Sequence, residues 1–182
     1  MKNFLKGLFQ TILYLAFIFV ITLLIVRYLG QRTEVIGSSM VPTLESGDQL
    51  ITDKISYRFR DPERFDIIVF PFEGDDYEGK AYFIKRIIGM PGETVRIDED
   101  GVIYINGEPL DEHYGIETIT FAGTAQEEIK LADDEYFVLG DNRPISRDSR
   151  YPEVGNINRK DIIGRAWLRI YPFSQFGILQ HQ

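Results

Sequence analysis

Twenty consecutive residues without a charge, Gly7 to Val26, rich in Leu, Ile, Phe and Val, constrain this chain more than any other feature. Wound as a helix, the run reaches roughly 30 Å, the thickness of a bilayer's hydrocarbon. A cleaved secretory signal predicts a shorter apolar core followed by small residues, whereas Val26-Arg27-Tyr28-Leu29-Gly30 follows here. The expectation is an uncleaved transmembrane anchor over 7–26 behind a short cytoplasmic tail at 1–6, rather than a signal or a buried core helix. Lys2, Lys6 and the amino terminus on one flank face Arg27 and Arg32 on the other. Charge counting therefore favours a cytoplasmic N-terminus only slightly.

Charge is distributed unevenly beyond the run. The first 32 residues carry four basic side chains and no acid, leaving 16 basic and 28 acidic residues for the remaining 150. Phosphate backbones would repel so acidic a unit, which argues against nucleic acid as a partner. It also gives that unit no electrostatic reason to lie on anionic lipid, so attachment falls to the apolar run. Cysteine is absent, which removes disulfides, thiolate nucleophiles and thiolate metal sites together. Only His113 and His181 could serve a Ser-His-Asp triad, one in an acidic loop-like stretch and the other a residue from the end.

After the anchor, the pattern changes to short alternating or branched runs: Gln49–Thr52, Asp66–Phe70, Tyr82–Ile87, Thr94–Ile97, Val102–Ile105, Tyr136–Leu139 and Ile162–Tyr171. These read as strands. Turn signals separate them, at Ser46-Gly47-Asp48, Pro91-Gly92, Asn106-Gly107 and Gly140-Asp141-Asn142, spaced as in an antiparallel sheet protein. The segment from Asp98 to Asp134 is more acidic and less regular, and reads as a small cap or subdomain. A surface elaboration and a substrate-facing role fit it equally well.

Three segments carry chemistry-bearing residues. Gly37-Ser38-Ser39-Met40-Val41-Pro42-Thr43-Leu44 has the composition of a turn, and turns use serine far more often than catalysis does. Lys85 lies in Tyr82-Phe83-Ile84-Lys85-Arg86-Ile87-Ile88, a run that reads as a mostly buried strand. Burial would lower its pKa from the usual value of about 10.4, giving an amine able to accept a serine proton; a strand lysine pointing to solvent is the plainer alternative. Gly140 to Arg150 packs five charges and two serines into eleven residues. That density suits either a solvated loop or a rigid hydrogen-bonded network holding a neighbouring group.

Together these segments resemble the type I signal peptidases across essentially the whole chain. Ser39-Met40-Val41-Pro42-Thr43-Leu44 is similar to the family's nucleophile motif, with Gly47-Asp48 after it and Arg64 to Phe70 as the next strand motif. Lys85 to Glu93 resembles the general-base motif, and Gly140 to Arg150 the late motif, in the same order and spacing. The resemblance implies a mainly β fold: an antiparallel β-sheet catalytic domain over 27–182, with a short cap at about 98–134 as in Gram-positive-like members, preceded by one transmembrane helix. It also implies a single-pass plasma membrane protein with its catalytic domain outside the cytoplasm.

Carried over residue by residue, the resemblance makes Ser39 the nucleophile, Lys85 its general base and Ser146 the hydroxyl that orients the lysine. Asp148, Arg150, Asp141 and Arg143 become supports. No metal and no organic cofactor is implied. Implied partners are the signal peptides of secreted preproteins, cut after small residues as in Ala-x-Ala, the lipid bilayer, and a neighbouring secretion translocase. By alignment Val35, Met40, Leu44, Leu50, Val69, Phe83 and Ile84 are candidates for the substrate pockets, though each also fits a plain core. One departure stands out, because Gly37 occupies a position where some members carry a serine as second oxyanion donor. Rival readings are a catalytically silent anchored module of the same fold and a serine-lysine peptidase with one dedicated substrate; a self-cleaving repressor lacks support without a DNA-binding domain.

Overall fold

A computed structural model describes residues 2–28, 30–73, 81–115 and 117–179, apart from the side chains of 2, 3, 5 and 23–28. His181 therefore lies outside the described residues. Helix α1, Lys2–Tyr28, is 27 residues long and contains the whole uncharged run. Apolar side chains from Leu8 to Ile21 are exposed along it, and no polar stripe divides them. Among the described residues no helix is long and apolar enough to cross a membrane; the side chains of 23–26, the end of the expected anchor, fall outside that description.

Among the described residues twelve strands follow: β1 Gly30–Glu34, β2 Gln49–Asp53, β3 Ile67–Phe72, β4 Ala81–Gly89, β5 Thr94–Ile97, β6 Ile103–Ile105, β7 Glu108–Pro109, β8 Ile129–Lys130, β9 Glu135–Leu139, β10 Ile157–Asn158, β11 Gly164–Tyr171 and β12 Gly177–Ile178. Seven of them form one sheet in the order β1-β2-β11-β3-β4-β9-β10, with β12 added to β11, and every pairing is antiparallel. A second antiparallel sheet runs β7-β6-β5-β8. Each strand expected from the sequence is present within a few residues of its expected ends. Not anticipated were β1, whose Gly-Gln-Arg-Thr-Glu is polar because it lies at a sheet edge, and four two-residue strands too short to carry a period. Asn106 and Gly107, both with positive φ, make the two-residue turn between β6 and β7 that favours this dipeptide.

Alternation along β3 shows how the larger sheet is buried. Ile67 and Val69 join Met40, Leu44, Leu50 and Ile84 on one face, while Ile68 and Phe70 join Ile87, Tyr136 and Val138 on the other. A third cluster of Ile88, Val95, Ile97, Ile103, Ile105, Leu131, Phe137 and Leu139 fills the space under the second sheet. Strand β4 belongs to all this apolar surroundings yet carries Lys85 and Arg86, both buried.

Candidate active site

Neighbouring residues of a strand point to opposite faces, so β4 sends Lys85 one way and Arg86 the other. Lys85 meets the turn that follows β1. Met40 and Leu44, 2% and 0% exposed, pin that turn into the core and leave Ser39 half-buried beside the lysine. Lys85 Nζ lies 2.7 Å from Ser39 Oγ and 3.0 Å from the Ile84 carbonyl oxygen. Burial pushes the Lys85 amine down to about 8, against the opposing pull of Asp148 and Asp141, whose charges favour the ammonium form. An uncharged amine is thus accessible near neutral pH, and it can accept the proton of the hydroxyl it touches.

Arg86, on the other face, is fully buried and grips Asp141 through Nε and Nη2 at 2.8 and 2.6 Å. Thr43 donates its hydroxyl to the same carboxylate at 2.5 Å, so one acid ties together the serine turn, the lysine strand and the late loop. Within that loop Arg150 pairs with Asp148 through Nε at 2.8 Å and donates to the Arg143 and Ser146 carbonyls. Asp148 in turn accepts the Gly140 N–H at 3.0 Å. Gly140 packs so closely that a Cβ there would collide with Ser146 Oγ and stand 2.5 Å from the Ser39 carbonyl oxygen. Asn142 N–H donates to that Ser39 carbonyl at 3.0 Å, and its side chain to the Ser38 carbonyl at 3.2 Å. Four of the five charges of Gly140 to Arg150 are therefore part of a buried web, while Arg147 is partly exposed and pairs with Glu153.

Ser146 is buried, and among the described residues its hydroxyl has no hydrogen-bond partner. The Lys85 amine meets the Ile84 carbonyl and Ser39 Oγ. Of the pocket candidates, Val35, Met40, Phe83 and Ile84 line a groove of about 710 Å³ beside Ser39 and Lys85. Leu44, Leu50 and Val69 lie beneath it, at most 3% exposed, as floor and not wall. Arg32, Glu34, Ile145 and Arg147 also line the groove and escaped the sequence reading.

Gly37 has φ of +91°, a conformation that serine adopts only with strain, and its N–H donates to Ser46 Oγ at 3.3 Å. His113 is exposed beside Asp111 and offers no support for a triad. Among the described residues, no group of His, Cys, Asp or Glu could hold a metal ion.

Residues 8–171 match the family described as "Signal peptidase, peptidase S26". The chain belongs to that family. It is 44% identical over 157 residues to "Probable signal peptidase I-2" of Synechocystis sp., covering 84% of this chain and 68% of the relative. "Signal peptidase I" of Leptolyngbya laminosa is 43% identical over 169 residues, 87% of this chain and 80% of its own. "Signal peptidase IB" of Staphylococcus aureus is 32% identical over 187 residues, 94% of this chain and 93% of its own. As a member of the signal peptidase family the chain is a serine endopeptidase, with its antiparallel sheet as the catalytic framework. Sequence reasoning singled out Ser39 and Lys85 as candidates but not Thr43, Arg86, Glu112 or Tyr114. Arg86 had a signal, since a charged residue in a strand apolar on both faces has no solvent to reach. The other three had none, because their partners lie far away in the sequence.

Proposed function

We propose that this chain removes N-terminal signal peptides from exported preproteins, with Ser39 as nucleophile and Lys85 as general base. The observation that carries the assignment is the 2.7 Å contact between Ser39 Oγ and the buried, pKa-lowered Lys85 amine. In this reading, neutral Lys85 takes the Ser39 proton as Oγ attacks the scissile carbonyl carbon. The resulting ammonium gives that proton to the leaving amine as the C–N bond breaks, leaving an ester on Ser39. Water then attacks the ester carbonyl, Lys85 accepting its proton and returning it to Ser39 Oγ as the acid product departs. The Ser39 N–H serves as one oxyanion donor. Asp141, Asp148, Arg143 and Arg150 act at a distance, by keeping the late loop flush against the serine turn.

Small residues before the cleaved bond fit the groove that Val35, Met40, Phe83 and Ile84 line. The substrate chain runs extended along it, with the β1 edge and β4 as its walls. Residues 1–6 are read as a cytoplasmic tail, 7–26 as the anchor and 27–182 as an extracytoplasmic peptidase with a cap near 98–134. Support for the anchor is the exposed apolar surface of α1, which has no role in an aqueous setting. Anchoring confines enzyme and substrate to one plasma membrane surface, near the secretion translocase, and raises their encounter rate.

The test is incubation of a preprotein panel with the full-length protein in detergent, with products identified by mass spectrometry. Ser39→Ala and Lys85→Ala are each expected to abolish cleavage while near-ultraviolet circular dichroism stays native. Normal processing by either variant would remove the mechanism.

A further inference from the structure

Three arginines are buried around the late loop: Arg86, Arg143 and Arg150. The loop itself provides Asp141 for the first and Asp148 for the third. Arg143 takes its carboxylate from outside, from Glu112 in the segment between the second sheet's hairpin and its last strand. Nη1 donates to Oε1 at 2.7 Å and Nη2 to Oε2 at 3.0 Å, with the two side chains 2% and 11% exposed. The Arg143 guanidinium beside Glu112 keeps that carboxyl below its ordinary range, although burial alone would raise it.

Residues 112–115 are shaped around these arginines. The Tyr114 N–H donates to Glu112 Oε2 at 3.0 Å, which turns the carboxylate inward. A Cβ added at Gly115 would lie 3.1 Å from Arg143 Cγ, so the backbone there rests directly on the arginine stem. The Tyr114 ring covers Arg86, whose Cζ is 3.6 Å from the ring centroid, and packs against Phe65 at 5.0 Å. From Arg143 the chain of contacts is short. Its Nε donates to the Gly140 carbonyl at 3.0 Å, and the adjoining Asn142 N–H holds the Ser39 carbonyl.

We propose that Glu112 is a positioning residue for peptide-bond cleavage: by clasping Arg143 it locks the Gly140–Asn142 backbone against Ser39 and so aims the serine hydroxyl at Lys85. The clasp gives the acidic segment after the second hairpin a part in the chemistry without contact with substrate. A bidentate guanidinium–carboxylate pair suits the task because it fixes orientation as well as distance. The proposal rests on Ser39 and Lys85 being the reacting pair.

The experiment measures kcat and KM on a soluble Ala-x-Ala peptide for the full chain in detergent, normalised to the folded fraction by near-ultraviolet circular dichroism. Variants are Glu112→Ala, Glu112→Gln, Glu112→Asp, the exposed neighbour Asp111→Asn and, in parallel, Ser39→Ala. Expected for Glu112→Gln is a kcat about tenfold lower with KM within about twofold, since small misplacement of reacting groups is costly in rate. Glu112→Ala should lose more, Glu112→Asp should recover part, and Asp111→Asn should match wild type. Full kcat per folded molecule in Glu112→Ala or Glu112→Gln overturns the proposal. So does a rise in KM alone, which would make the segment substrate-facing, or failure of both variants to fold, which would make the pair structural only. Cleavage by Ser39→Ala would instead bring down the dyad assignment itself.

Discussion

The web behind Ser39 and the core beneath the second sheet bury their side chains by opposite means. Under the second sheet every member of the cluster is apolar, from Ile88 and Val95 to Phe137 and Leu139. Around the late loop the buried charged residues are Arg86, Asp141, Arg143, Asp148 and Arg150, each held by charge-assisted hydrogen bonds. Apolar packing is non-directional and stabilises in proportion to area, so it holds a fold without fixing any one atom sharply. Buried ion pairs give back much of their attraction in lost hydration, but they specify distance and orientation. The molecule uses the first where only stability is needed and the second where a hydroxyl must meet an amine.

That contrast can be broken most severely at Asp141. Asp141→Ala leaves Arg86 buried with its main carboxylate gone, and should cost about 3–5 kcal/mol in denaturant unfolding. Cleavage per folded molecule should fall with it; full activity would show that the web does not position the dyad. Ile97→Ala, in the apolar core and 0% exposed, should cost about 3 kcal/mol yet leave kcat per folded molecule unchanged. A matching loss of kcat there would erase the distinction between the two regions.

Lys85→Met sharpens the comparison from the other side, by replacing a polar group of the site with an apolar one. Cleavage should vanish while stability at pH 7 rises by up to about 3 kcal/mol, the worth of a shift from 10.5 to about 8. Between those two values the unfolded wild type holds a proton that the folded form has released. Wild-type stability therefore climbs with pH across that window, and the advantage of Lys85→Met should fade over it. Equal stability of the two proteins at pH 7 would argue that the amine is not desolvated. The smallest effect is in the rate itself: kcat/KM of the wild type should fall about tenfold per pH unit below about 8, as the base becomes protonated. A flat profile to mild acid would exclude Lys85 as the base.

Much of this architecture was legible in the chain. Thr94–Ile97 is a strand at its expected ends, and Asn106-Gly107 turns the hairpin it signals, because period and turn chemistry are local properties. Strand β1 was illegible, since an edge strand of Gly, Gln, Arg, Thr and Glu shows no apolar face. In the site, Ser39 and Lys85 were readable only through the order and spacing of whole motifs; each alone resembles a turn serine and a strand lysine. Leu44, Leu50 and Val69 fit pocket or core in the sequence just as Phe83 does, because sequence has no means of separating wall from floor when both are apolar.

By itself, the sequence determined the uncharged helix, the antiparallel succession of strands, the family, and the identity of the nucleophile and base candidates. Only the tertiary structure decided that residues 46 apart in the chain meet at 2.7 Å, that the Ile84 carbonyl also meets the amine, and that Glu112 is the third carboxylate of the web. The reason is physical. Secondary structure follows from patterns a few residues long, whereas the partner of a buried charge is whichever opposite charge the packing brings within about 3 Å, and no local pattern records that.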